Sequence, residues 1–198
     1  NYGWDVPTST DYVKDGATAI ETLGDDIDAT LYGLVGTNTK VGMQLLSTTT
    51  LSGASTTISS IPQTFKNLEV WVYGFTNATA NGDFRLAPNG GTTLAKTIGH
   101  SNNAGTLALR AMNNTYVLAT WGPNRTSATG YNVFRITDYT STTTYKPLAA
   151  SFNFDNPVEW IAEHHTGTLQ TNSAITSLVF SNTGGSFTGG TVKVWGCN

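Results

Sequence analysis

The sequence predicts a mainly β protein, with a short N-terminal helix followed by an antiparallel jelly-roll β-sandwich. Three observations carry this. From about residue 42 onward, short apolar-rich runs recur, each bounded by turn residues such as Asn81-Gly82-Asp83, Asn89-Gly90-Gly91 and Thr183-Gly184-Gly185. Charged residues make up only 12% of the chain, against about a quarter in ordinary soluble domains. The polarity comes instead from Thr, Ser, Asn and Gly, which suit strands and tight turns. Ahead of this region, residues 10–34 alone carry a helical apolar repeat.

The helix is expected to start near Thr10, with Ser9 or Thr10 as its cap and Asp11 in the first turn. Its apolar positions are Val13, Ala17, Ile20, Ile27, Leu31 and Leu34, with Gly24 where a further seam residue would fall. These positions follow the alternating four-and-three spacing of a heptad seam. Two partners fit such a stripe: the β domain of the same chain, or copies of the helix. A two-per-heptad stripe is narrower than the buried face of an ordinary globular helix, and this favours copies. Residues 1–36 therefore form an N-terminal segment with an oligomerisation helix, and residues 37–198 form the sandwich.

Strands are expected at about Gly42–Thr50, Thr56–Ile61, Asn67–Phe75, Asp83–Ala87, Leu94–His100, Thr115–Thr120, Tyr131–Ile136, Leu148–Phe154, Val158–Thr166, Ile175–Ser181 and Thr191–Gly196. In the third, Leu68, Val70 and Val72 take one face while Glu69, Trp71, Tyr73 and Phe75 make the other rich in aromatics. That many short strands indicate a two-sheet sandwich, and the jelly roll is its commonest form at this count.

The totals exclude several functions. A net charge of -3 with scattered Lys and Arg is no nucleic-acid surface. No run of 18 apolar residues is present, so no membrane insertion is expected. The single cysteine, Cys197, allows neither an intrachain disulfide nor a cysteine metal site, and it reads as a small buried apolar residue. Three Asn-x-Thr triplets, at Asn77, Asn113 and Asn124, read as chance in a chain rich in both residues. The best catalytic candidate is Glu163 with His165, which share one face of a strand, with His100 as a third ligand if a metal were held. The helical His-Glu-x-x-His pattern, the Gly-x-Ser-x-Gly elbow and phosphate-binding loops are absent. We therefore expect no catalytic residue, cofactor or metal, and we expect this stretch to be a strand edge or loop with polar residues facing solvent. Recognition surfaces remain. Trp121, Arg125 and Tyr131 flank or occupy one loop, and Tyr139 and Tyr145 lie in a second. Such aromatics, with Asn, Asp and Arg beside them, suit stacking on a sugar ring and bonding its hydroxyls.

Two segments together carry a resemblance. The N-terminal NYGWDVPTSTDYVKDGATAIETLGDDIDATL contains Tyr2-Gly3-Trp4, Pro7 and Asp11 to Ala17. The C-terminal ITSLVFSNTGGSFTGGTVKVWGCN ends in Trp195-Gly196. Between them lie Ile58 to Pro62 and Phe65 to Val70. These resemble the ends of bacteriophage tail-fibre and minor tail proteins with a C-terminal receptor-binding knob. The resemblance implies a homotrimeric virion protein, assembled in the bacterial cytoplasm. Tyr2 and Trp4 would attach it to another virion protein, the helix would trimerise it, and the knob would bind a host surface glycan or protein. A capsid head-fibre or decoration protein, and a carbohydrate-binding module or glycan-degrading enzyme, are the alternative readings.

Overall fold

The computed structural model describes residues 3–4, 6–8, 10, 12–35, 42–78, 82–91, 94–103, 106–119, 130–155 and 160–198. They fall into two compact units, Asn1–Gly42 with Asn198, and Met43–Cys197. The boundary lies a few residues beyond the one expected at residue 36.

In the first unit a 3-10 turn at Val13–Asp15 leads into one α-helix, α1, at Gly16–Val35. The helix thus starts later than the apolar pattern suggests. Tyr12 takes the N-cap position of the 3-10 turn and makes no side-chain cap, so the Thr10 cap is not made. Val13 consequently sits outside α1, at the head of its stripe. Gly24 is accommodated in mid-helix, and a methyl group there would meet nothing within 4 Å.

The second unit contains twelve described strands. They are β1 (Met43–Thr50), β2 (Ser55–Ile58), β3 (Asn67–Asn77), β4 (Phe84–Pro88), β5 (Leu94–Asn103), β6 (Thr106–Asn114), β7 (Val117–Ala119), β8 (Tyr131–Ile136), β9 (Lys146–Asp155), β10 (Trp160–Gln170), β11 (Leu178–Asn182) and β12 (Phe187–Cys197). An eight-stranded sheet runs β1-β12-β3-β8-β9-β10-β5-β6, and a four-stranded sheet runs β2-β11-β4-β7. All described pairings are antiparallel. Residues from both sheets form one core, and Phe75 of the large sheet meets Phe84 of the small one with ring centroids 4.7 Å apart. The fold is therefore the expected antiparallel sandwich behind a helix. Its strands divide eight and four, so the expectation is met at the level of a two-sheet sandwich rather than of an eight-strand double Greek key.

β6 is the strand that the pattern did not indicate. Its residues, Thr-Leu-Ala-Leu-Arg-Ala-Met-Asn-Asn, are mostly helix formers. Pairing with β5 along its length, from Ala95–Asn114 to Asn103–Thr106, overrides that preference.

Phe75 also departs from expectation. The alternation puts it on the face of Trp71 and Tyr73, yet it is buried in the core with Leu68, Val70 and Val72. Gly74 adopts a left-handed φ of 64°, the β3–β12 register slips beside it, and the alternation changes phase. A bulge of this kind re-aims the next side chain.

Lys146 enters the core at the start of β9. Its ammonium donates to the carbonyls of Ser141 (2.7 Å), Thr144 (2.9 Å) and Thr171 (2.9 Å). Those bonds satisfy all three of its donors.

Candidate functional site: the outer face of the large sheet

Strand alternation separates the two faces of the eight-stranded sheet. Leu68, Val70 and Val72 of β3 enter the core, as do Val192 and Val194 of β12 and Phe134 and Ile136 of β8. The residues between them point outward. Register places Leu45, Trp195, Glu69, Arg135 and Ala149 in one transverse row. Lys193, Trp71, Val133, Ser151 and His164 make the next row, and Tyr73, Tyr131, Asn153 and Ala162 a third.

Polar and aromatic groups lock together along these rows. Trp71 and Trp195 pack with centroids 5.0 Å apart at 50°. The Trp71 indole Nε1 donates to Glu69 Oε1 at 2.7 Å, and Arg135 Nε donates to Glu69 Oε2 at 2.8 Å. Burial raises the Glu69 pKa, but the hydrogen bonds from Arg135 and Trp71 outweigh it and hold the carboxyl below its ordinary value. Lys193 Nζ lies 5.8 Å from the centre of the Tyr73 ring.

Beside this cluster, β8, β9 and β10 form an open groove of about 300 Å³. It is lined by Tyr131, Val133, Ser151, Asn153, Ala162 and His164, together with Phe152. Asn153 Oδ1 accepts the Tyr131 backbone N–H at 3.0 Å, which leaves its amide NH2 as a donor group. Ser151 Oγ and His164 Nδ1 lie 3.1 Å apart. Burial and the Glu69 charge push the Tyr131 phenol up, with Arg135 opposing, so it stays neutral at physiological pH. The groove thus offers an apolar floor, one aromatic wall and a rim of hydrogen-bonding groups. That combination suits an uncharged ligand with an apolar face and several hydroxyls or amides.

Of the expected receptor contacts, Tyr131 lies in this groove. Tyr139 does not belong to any surface. It is fully buried, and its hydroxyl donates to the Pro62 carbonyl. The left-handed Asp138, at φ 54°, reverses the chain there and turns the ring inward. Its burial also pushes the phenol pKa up, although a backbone hydrogen bond to Phe65 opposes this. Tyr145 is exposed but precedes β9, whereas the groove uses Ser151 and Asn153 of that strand. At about 3.3 Å per residue it lies roughly 20 Å along the strand from Ser151. Trp121 and Arg125 lie outside the described residues, as does Tyr2.

Glu163 and His165 are neither at an edge nor facing solvent. β10 is an inner strand between β9 and β5, and both side chains enter the core, each 1% exposed. His165 Nε2 lies 3.4 Å from Glu163 Oε2. The His165 ring packs on Phe152 and against Gly99, where an added methyl would come within 2.6 Å of Nδ1. The pair is therefore a sealed core contact, closed to any substrate. His100 pairs with His164 in register, not with this buried pair. Among the described residues no group of three or more His, Cys, Asp or Glu is placed to hold a metal. Cys197 is half-buried on the outward face of β12 rather than sealed in the core, and Asn77 is buried, out of reach of any glycan attachment.

On the helix, Val13, Ile20 and Leu31 are 97%, 65% and 53% exposed. Ala17 is also exposed and Ile27 half-buried, while the Leu34 side chain lies outside the described residues. Trp4 is tied to the helix: its indole Nε1 donates to Thr30 Oγ1 at 2.9 Å. Thr30 lies about 21 Å along the axis from Gly16. Trp4 is therefore held beside the C-terminal half of α1. On α1, Ala19, Leu23, Asp26, Ile27 and Thr30 are half-buried, while Ile20 and Leu31 of the seam are exposed.

Sequence reading missed most of the sheet-face residues. The alternation of β3 announced Trp71, but Val133, Ser151, Asn153, Ala162 and His164 come together only through the pairing β8-β9-β10. No protein-family model matches the chain, and no curated protein or solved structure is similar to it.

Proposed function

We propose that the chain is a subunit of a homotrimeric bacteriophage tail fibre or spike. In this reading α1 forms the trimer seam, the N-terminal segment meets another virion protein, and the sandwich contacts the host cell surface through the outer face of its large sheet. The observation that carries it is the helix. Trp4 is bonded to Thr30, while Ile20 and Leu31 stay exposed at seam positions of the heptad pattern. A lone helix of this length is marginal in water, and exposed isoleucine and leucine at such spacing are what helix copies bury. The groove at Tyr131, Asn153 and His164 supports a binding role for the sandwich. The sealing of Glu163 and His165 in the core supports a role without catalysis.

Two experiments test it. Sedimentation velocity should show Ile20→Asp as a slower species than the unchanged chain, because three carboxylates would be forced into one apolar seam. Equal coefficients at the same concentration would sink the seam. The purified chain should also compete with phage for adsorption to host cells, and Tyr131→Ala should weaken that competition. A chain that never reduces adsorption would remove the attachment role.

A further inference from the structure

We propose that the β1 end of the large sheet is itself an interface between copies, so that the sandwiches as well as the helices pack together; this rests on the trimer reading above. The first observation is the edge. β1 is an outermost strand of the sheet, so one side of its backbone is unpaired among the described strands. Such edges are ordinarily blunted by charge or proline. β1 reads Met-Gln-Leu-Leu-Ser-Thr-Thr-Thr and carries neither, although its register shifts between Leu45 and Ser47. The second is the face beside it. Met43 and Leu45 are exposed, and Leu45 stands in register with Trp195, which packs on Trp71. A contiguous Leu-Trp-Trp patch, with Arg135 next to it, is the residue composition of an interface centre rather than of a solvated sheet face.

The third observation selects the occupant. Only residues 36–42 separate Val35, the last residue of α1, from Met43, the first of β1. Three helices held in one seam therefore deliver three copies of β1 to the same neighbourhood. So short a tether sets their effective concentration in the millimolar range, where even a modest patch associates. A second copy is thus the partner that meets this surface first. The division of the face follows. The β1-β12-β3 half packs against neighbouring sandwiches, and the β8-β9-β10 half keeps its groove open.

The test uses full-length chain carrying Cys197→Ser with Leu45→Cys, treated with a short bis-maleimide. Met43→Cys in the same background is the second variant, and Thr143→Cys, on an exposed turn, is the control. The expected result is chains cross-linked in pairs for Leu45→Cys and Met43→Cys, and none for Thr143→Cys at the same dilution. In parallel, Leu45→Lys should raise the concentration at which the trimer dissociates by at least tenfold. If the unchanged chain is a monomer, the trimer reading itself fails. A trimeric chain that gives no cross-link at either position, and that Leu45→Lys leaves unaltered, overturns this interface and leaves the helix seam standing.

Discussion

Lys146→Met is expected to destabilise the sandwich by about 2 kcal/mol. The ammonium sits in the core with no exposed surface and donates to three carbonyls at 2.7, 2.9 and 2.9 Å. Methionine keeps much of the stem's shape but none of the donors. Leaving a buried acceptor unpaired costs about 1–3 kcal/mol. Ser141 and Thr171 are half-buried and Thr144 is exposed, so water reaches their carbonyls in part. The low end then applies, roughly 3 kcal/mol for the three. Some of this is offset, because burial pulls the Lys146 pKa down, with Asp138 only opposing, and methionine relieves that desolvation. The net of about 2 kcal/mol corresponds to roughly 4–8 °C in melting temperature for a chain of this length. Urea unfolding should show a lower midpoint at unchanged slope. Chymotrypsin should also cut faster at Tyr145, which adjoins the loosened turn. An unchanged midpoint would mean that the three carbonyls find water at no cost, and the reasoning would be wrong.

Other expectations follow from single contacts. Gly24→Ala should raise the thermal midpoint of the helical circular-dichroism signal, by about 1 kcal/mol of helix stability, since a methyl there meets nothing within 4 Å. Gly99→Ala should cost about 3 kcal/mol, at the severe end for overpacking, because the methyl would fall 2.0 Å from the His164 carbonyl oxygen and 2.6 Å from His165 Nδ1. Soluble yield and urea midpoint check it. Glu69 supplies the pH dependence. Its folded pKa lies below the ordinary 4.5, so its contribution is present above that value and is lost as pH falls through the folded pKa. Urea midpoints measured from about pH 6 down to pH 3 should fall less steeply for Glu69→Gln than for the unchanged chain.

The sequence makes the sandwich legible because its strands alternate and its turns carry Asn-Gly and Gly-Gly. Tyr131–Ile136 begins and ends where the pattern places it. The departures have local causes. β6 is written in helix formers, and only its partner β5 makes it a strand. Gly74 shifts the phase of β3, a backbone event that apolar spacing does not record. Glu163 and His165 look like a polar edge because nothing local says that β9 and β5 flank them on both sides. The groove was less legible than the fold for the same reason. Its residues come from three consecutive strands, and apart from Tyr131 each is unremarkable until the register sets them side by side. The helix is the opposite case, since its apolar repeat is local and can be read directly, although its first turn starts later than that repeat suggests.

The central claim is that three chains associate through α1. Light scattering of the purified, unaltered chain tests it most directly. The account predicts a particle of three times the 21.0 kDa chain mass, stable on dilution. A mass of 21.0 kDa at every concentration would contradict it.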